Sequence, residues 1–296
     1  MTINRRDFLK KTGLGLGGLL VQPDVSKLRL SSESTQAGNG MLFDAPKCVG
    51  CTECQVACKL RLNSLNPEED ISEYDLKPDD LTAYTWSLIK LYKDETDDSR
   101  SSFVKVQCMH CLHPACVSVC PVGALTRSET GAVVYDDKKC FGCRYCMAAC
   151  PYDIPKYQWD KIFPLIQKCD FCADRQEAGL QPACSSVCPT GALLFGEREE
   201  LLKIARERIK NDSRYVDHIY GEHEVGGTSQ LYISHVPFEL LGFQALSAVS
   251  LAGLTWPWMA AVPGVAVVVA SLMSGIYWFT KKRIQAQEEQ EEEKEE

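Results

Sequence analysis

The sequence has no basic surplus. Its 32 Lys and Arg stand against 40 Asp and Glu, a net charge of −8, so it lacks the positive field of a nucleic-acid-binding surface. Histidine is scarce, five residues in 296, and His218, His223 and His235 fall at no metal-ligand spacing. No C-x-x-C pair is followed by His, which excludes c-type haem attachment. No nucleophile–base set, phosphate loop or substrate-pocket motif occurs. Gly13-Leu14-Gly15-Leu16-Gly17-Gly18 spells a dinucleotide fingerprint, but no strand precedes it and no βαβ unit surrounds it, so the match is discarded. Cysteine is missing before position 48 and after position 188, and charge is missing from residues 240–280. What lies inside those two boundaries decides the reading.

The hydrophobic share of 45% and charged share of 24% are ordinary, which excludes a wholly disordered or fibrous chain and leaves one large domain or two small ones. The acidity is mostly a tail: residues 284–296 hold seven Glu and one Lys. All sixteen cysteines lie in the window that remains. They form four groups of four. Cys48, Cys51, Cys54 and Cys58 are spaced C-x2-C-x2-C-x3-C, and Cys140, Cys143, Cys146 and Cys150 repeat that spacing. Cys108, Cys111, Cys116 and Cys120 follow C-x2-C-x4-C-x3-C; Cys169, Cys172, Cys184 and Cys188 follow C-x2-C-x11-C-x3-C. Proline follows the fourth cysteine in three groups, at Pro121, Pro151 and Pro189, and Lys59 takes its place in the first.

The spacing has a chemical reason. Cysteines two residues apart wrap the irons of one cubane from a single short loop, while a fourth, after a gap of three, points away and ligates the neighbouring cluster. Zinc takes two C-x2-C pairs per site and leaves the third loop cysteine and the proline unexplained. Cysteines two residues apart are also poor disulfide partners. Iron–sulfur clusters fit best. An internal repeat agrees: Val119-Cys120-Pro121-Val122-Gly123-Ala124-Leu125 is echoed by Val187-Cys188-Pro189-Thr190-Gly191-Ala192-Leu193. A turn at Glu129-Thr130-Gly131 followed by Ala132-Val133-Val134-Tyr135-Asp136 predicts a hairpin leading into the next cysteine loop. Cysteine loop, short helix, hairpin and cysteine loop form a dicluster ferredoxin plan, which occurs twice with one pair nested inside the other. Residues 60–102 read as an insertion in which Ser87–Tyr92 and residues 103–107 form a hairpin, and residues 199–210 as an amphipathic helix with Leu201, Leu202, Ile204 and Ile209 inward.

The two ends give a location. Asn4-Arg5-Arg6-Asp7-Phe8-Leu9-Lys10-Lys11 and the Gly-rich apolar run after it read as a twin-arginine export signal, with residues 31–40 a Ser-rich linker and Thr35-Gln36-Ala37 a weak processing site. At the other end, residues 256–279 number 24 and reach about 36 Å at ~1.5 Å per residue, enough to span a hydrocarbon core of about 30 Å. Trp256, Trp258, Tyr277 and Trp278 sit near the two ends of this stretch, where aromatic rings favour the interface. Pro263 predicts a kink. Lys281-Lys282-Arg283 predicts a cytoplasmic C-terminus with everything before the span outside. A two-pass hairpin from residue 240 would put that basic triplet on the wrong side.

Gln107-Cys108-Met109-His110-Cys111, the stretch 114–121, and Gly142-Cys143-Arg144-Tyr145-Cys146-Met147 through Pro155-Lys156-Tyr157 resemble the four-cluster iron–sulfur electron-transfer subunits of membrane oxidoreductases. The N-terminal signal, the C-terminal span, and Tyr220-Gly221-Glu222 with Gly226-Gly227-Thr228 before Val236-Pro237 resemble the hydrogenase-linked branch of that family. The resemblance implies an α+β fold of two interleaved bacterial-ferredoxin-like dicluster modules and one C-terminal transmembrane helix. It implies four [4Fe–4S] clusters. Cys48, Cys51 and Cys54 would share a cluster with Cys188, and Cys58 would join Cys169, Cys172 and Cys184. Cys108, Cys111 and Cys116 would go with Cys150, and Cys120 with Cys140, Cys143 and Cys146. The implied partners are a periplasmic nickel–iron hydrogenase and a multi-span, quinone-reactive membrane subunit; a molybdenum or tungsten enzyme such as formate dehydrogenase, or a cytochrome-linked complex, stays open as the alternative. The expected plan is a signal and linker over 1–37, a cluster domain over 38–237, a juxtamembrane segment over 238–255, a transmembrane helix over 256–280 and an acidic tail over 281–296. His110 and His113 are read as packing or tuning residues within a cluster loop. Lys156, Lys168 and Arg144 either offset cluster charge or form a solvated surface.

Overall fold

The computed structural model describes residues 38–65, 79–93, 97 and 101–295. The twin-arginine motif, the weak processing site and nearly all of the linker lie outside the described residues. The chain divides into two compact units, one over Gln36–Trp256 and one that includes Pro257–Glu296.

The first unit is built on a buried strand. β1 (Asn39–Asp44) is the centre of a three-stranded sheet in the order β8-β1-β9, antiparallel to β8 (Leu193–Glu197) and parallel to β9 (Gln230–Ile233). Met41 stands opposite Phe195 on one side and Gln230 on the other. Alternation sorts the side chains to two faces. Met41, Phe43, Leu193, Phe195 and Tyr232 pack on the cysteine side; Leu42, Leu194, Leu231 and Ile233 pack against a long helix. That helix covers Arg198–Asn211, with Leu201, Leu202 and Ala205 buried and Ile204 and Ile209 partly so, the face expected from the sequence. Its first turn carries Glu199 and Glu200 and its last Arg208 and Lys210, complementary to the helix dipole.

Three hairpins complete the unit. β2 (Ser87–Tyr92) pairs with β3 (Ser102–Gln107), β4 (Leu125–Arg127) with β5 (Val133–Tyr135), and β6 (Lys156–Tyr157) with β7 (Ile166–Gln167), all antiparallel. The first two are the hairpins predicted from the sequence. Short helices follow the cysteines: α1 (Glu53–Leu65), α2 (Ala115–Ser118), α3 (Tyr145–Ala149), α4 (Ala173–Glu177) and α5 (Ala183–Ser186), with Arg198–Asn211 as α6. The prolines set their lengths. Pro121, Pro151 and Pro189 follow α2, α3 and α5 closely, and a proline cannot continue a helix. Lys59 imposes no such stop, and α1 runs on for 13 residues.

Residues past Pro237 belong to this core rather than to a juxtamembrane linker. Phe238 and Leu241 are buried, and the Phe243 ring lies 4.6, 5.1 and 5.2 Å from those of Tyr220, Tyr232 and Phe238. The expected domain boundary at 237 cuts through this aromatic packing. The helix α7 (Leu251–Glu295) contains a stretch, Ala261–Glu288, that lies in the second unit and is long and apolar enough to cross a membrane. Helical backbone continues through Pro263, where a kink was expected. The Lys282 ammonium lies 4.6 Å from the Trp278 ring centroid, joining the basic triplet to the aromatic end of the span.

Candidate functional site

The site begins with backbone shape. In the first C-x2-C pair of each group the residue before the second cysteine is left-handed: Gly50 (φ 70), His110 (φ 46), Gly142 (φ 79) and Phe171 (φ 60). This turns backbone N–H groups inward. Gly142 and Phe171 each donate to the sulfur of the loop's first cysteine, Cys140 and Cys169, at 3.4 Å. Gly50 has a second reason to be glycine, because a Cβ there would strike the Phe103 ring. After the fourth cysteine a left-handed glycine recurs, at Gly123 and Gly191, and Ala124 N–H donates to Cys120 Sγ at 3.2 Å.

The sheet and helices then bring distant thiols together. Cys48, Cys51, Cys54 and Cys188 line one cavity of about 330 Å³. Cys58, Cys169, Cys172 and Cys184 line a second of about 340 Å³. α1 serves both, since Cys54 and Cys58 are four residues apart on one helix and face different cavities. Around Cys111 lie Cys108, Cys116 and Cys150, close enough to disfavour its thiolate. Cys140 and Cys143 do the same to Cys146. Cys120 packs in one apolar cluster with Cys116 and Cys146. None of the sixteen cysteines is joined in a disulfide.

Their acidity divides into two kinds. Burial, followed by repulsion from neighbouring thiolates at Cys111 and by repulsion from Asp170 and then neighbouring thiolates at Cys169, pushes both far above the ordinary thiol range. Burial is also the largest cause at Cys58 and Cys116, pushed up to about 12, and at Cys146, Cys150 and Cys172, pushed up to about 11. At Cys120 and Cys188 burial works in the same direction. It is outweighed by several backbone N–H groups, from Val122 to Leu125 and from Thr190 to Leu193, helped at Cys188 by the Thr190 hydroxyl, and both thiols sit below the usual range. Crowded, buried thiols are poor thiolates alone and good ones beside a cation, because a coordinating metal deprotonates them outright. The donor set fits iron–sulfur clusters: soft thiolates only, grouped in fours, with N–H groups turned toward sulfur.

The charged side chains are unevenly placed. Arg61, at the second cavity, is held by Asp170 at 2.7 and 3.0 Å and also by Asp174. Lys168 is buried, and its ammonium donates to the carbonyls of Val133 and Cys169. Lys156 pairs with an exposed Asp153, and Arg144 lies 5.6 and 5.2 Å over the rings of Tyr157 and Trp159. Of the three cations singled out in the sequence, only Lys168 is buried beside the thiols. Sequence reasoning missed Lys105. Among the described residues it is the largest fully buried side chain, 1% exposed, and its ammonium donates to Ser87 Oγ. A lysine in a hairpin strand carries no sequence signal of burial.

His110 packs, as expected. Its ring stacks on Phe171 at 4.8 Å, its Nδ1 accepts the Val133 N–H at 2.9 Å, and burial, then Lys168 and Arg127, hold it well below the usual histidine range. The segment after α6 ties the cysteine loops to the sheet. Leu112 N–H donates to Gly227 C=O at 3.0 Å, while Ser229 and Gln230 N–H donate to His110 and Met109 C=O at 3.0 and 3.1 Å. Arg198 anchors that segment, donating to the carbonyls of Thr228, Gly221 and Glu222 at 2.7, 3.2 and 3.0 Å.

Fold and thiols together define a ferredoxin-like protein of the 4Fe–4S dicluster class. Residues 100–198 match the 4Fe–4S dicluster domain family, and the chain belongs to the family of iron–sulfur electron-transfer subunits in which this domain occurs. It is 36% identical to the hydrogenase-2 operon protein HybA of Escherichia coli O157:H7, over 84% of this chain and 86% of that one. It is 39% identical to a protein of Nitratidesulfovibrio vulgaris over 98% of this chain and 80% of that one. The nitrate-inducible formate dehydrogenase iron–sulfur subunit of Escherichia coli K12 is 36% identical over 66% of this chain and 67% of its own length.

Proposed function

We propose that this chain holds four [4Fe–4S] clusters and relays electrons between a periplasmic oxidoreductase and a quinone-reactive subunit in the membrane. The observation that carries the proposal is the sharing of cavities by thiols far apart in sequence: Cys188 with Cys48, Cys51 and Cys54, and Cys58 with Cys169, Cys172 and Cys184. Strand pairing supports a nested arrangement. β1, before the first cysteine group, pairs with β8 after the fourth; β4, after the second, pairs with β5 before the third. α1 packs on α5, and α2 on α3, in the same nesting. We assign the two modules accordingly, with Cys108, Cys111, Cys116 and Cys150 holding the third cluster and Cys120, Cys140, Cys143 and Cys146 the fourth.

When bound, such clusters supply one-electron storage and release. The chain's own residues hold them, exclude water through Phe43, Phe171, Ile89 and Leu193, and supply N–H groups to the thiolates. The likeness to subunits of larger oxidoreductases supports a protein that serves a partner's chemistry. HybA, by its name a hydrogenase-2 operon protein, favours a nickel–iron hydrogenase as that partner. A second reading, service to a formate dehydrogenase, draws on equal identity to such a subunit over a shorter stretch. Export through Arg5-Arg6 as a folded, cluster-loaded protein and anchoring by residues 256–280, tail inward, complete the proposal. Mild detergent extraction followed by identification of the co-purifying subunits tests it. A large and small hydrogenase subunit with a multi-span partner is expected; a monomer with stoichiometric zinc would refute it.

A further inference from the structure

Lys105 is unlike the other cations at the thiol sites. It sits on β3, fully buried, and its one side-chain hydrogen bond goes to Ser87, a residue that lines the second cavity. No carboxylate among the described residues pairs with it, whereas Arg61 has Asp170 and Asp174, and Lys168 has two backbone carbonyls where Lys105 has a single hydroxyl. A buried ammonium without a counter-ion costs several kcal/mol, so its neutralising charge has to come from something else nearby. The groups that act on it are thiols from both cavities: Cys54 from the first, and Cys184, Cys58 and Cys169 from the second. The effect is mutual, for Lys105 is the strongest influence favouring the thiolates of Cys54 and Cys58, the two cysteines that share a face of α1. Desolvation alone would drive this lysine toward neutrality; the four thiols outweigh it and hold its pKa above the ordinary lysine range.

From this placement we infer that the Lys105 ammonium is a fixed internal counter-ion shared by the two clusters of the outer module, and that it raises their reduction potentials. The inference rests on the cluster reading above. Adding an electron makes an iron–sulfur–thiolate assembly more negative, and a positive charge held nearby in a low-dielectric interior favours that reduced state. Ser87, which holds the ammonium, lines the second cavity, and Ile89, opposite Lys105 across the hairpin, lines the first, so one lysine acts on both clusters. Ser87 positions the ammonium without adding charge.

The test uses the full chain, purified anaerobically in detergent. Iron and sulfide are counted first, and then the potentials are measured by a mediated redox titration followed by electron paramagnetic resonance. Lys105→Gln removes the charge and keeps a donor for Ser87; Lys105→Arg keeps the charge. The expected result is unchanged iron in Lys105→Gln with at least one cluster shifted negative by a tenfold change in equilibrium constant, about 59 mV for one electron, and a smaller shift in Lys105→Arg. Loss of iron in Lys105→Gln but not in Lys105→Arg also supports the inference, since only the charge differs in kind. Unchanged or more positive potentials in an iron-replete Lys105→Gln protein would overturn it, as would equal iron loss in both variants, which marks a packing role. Wild-type protein without clusters would instead remove the reading beneath it, and the iron count alone reveals that case.

Discussion

Single residues decide whether the cysteine loops can close. Gly50 and Gly123 are both left-handed, yet they differ in surroundings: a Cβ at Gly50 would strike Phe103, while Gly123 faces open space. Gly50→Ala should therefore cost the conformational penalty of roughly 1–2 kcal/mol and a clash besides, and Gly123→Ala the penalty alone. Iron content should fall in the first variant and be retained in the second; equal iron in both would mean that the Phe103 contact yields freely. Arg198 poses a different residue-scale question. Its guanidinium satisfies three carbonyls of the segment that ties the second cysteine loop to the sheet. Arg198→Met leaves the Thr228 and Glu222 carbonyls unpaired at about 1–3 kcal/mol for each buried group, while Gly221 C=O keeps the Thr228 N–H. Backbone amides of residues 221–230 should then exchange hydrogen at least tenfold faster, as mass spectrometry can read; unchanged exchange would show the segment to be held by its other contacts.

At the scale of elements, much was legible because periodicity and spacing are local. Ser87–Tyr92 with its partner strand, the β4–β5 hairpin and α6 all follow from alternation, turn residues and apolar repeats. What escaped was long-range. β1 carries no mark that says it pairs with β8 and β9, more than a hundred residues away. Lys105 reads as a solvent-facing lysine until its hairpin is placed against α1 through β2. The aromatic contacts of Phe238 and Phe243 were hidden for the same reason, and they move the safe cut point. Tyr220 Oη donates to Gln244 C=O at 3.0 Å, and Val225 N–H to Ser247 C=O at 2.8 Å. Truncation after Ser250 should release a water-soluble protein that keeps its clusters. Truncation after Pro237 strips Phe238, Leu241 and Phe243 from the core and should lose clusters faster on warming. Equal retention in the two truncations would place those aromatic residues outside the stabilising core.

For the whole molecule, the architecture makes cofactor and fold interdependent. Two of the thiol sets draw on both ends of the cysteine region, so filling one cavity would cross-link residues 48–58 to residues 169–188 as firmly as a disulfide framework while conducting electrons. Among the described residues the largest sheet has three strands, the other strands pair in twos, and several helices are a single turn. The α7 helix adds a membrane-length apolar stretch to this chain of the iron–sulfur subunit family. The central claim is the cluster count, and the most direct measurement is iron and acid-labile sulfide per chain in anaerobically purified protein, with the oxidised and reduced states examined by electron paramagnetic resonance. Four cubanes predict about sixteen of each per polypeptide by that count. About eight of each, stoichiometric zinc, or a three-iron signal in fresh anaerobic protein would contradict the account.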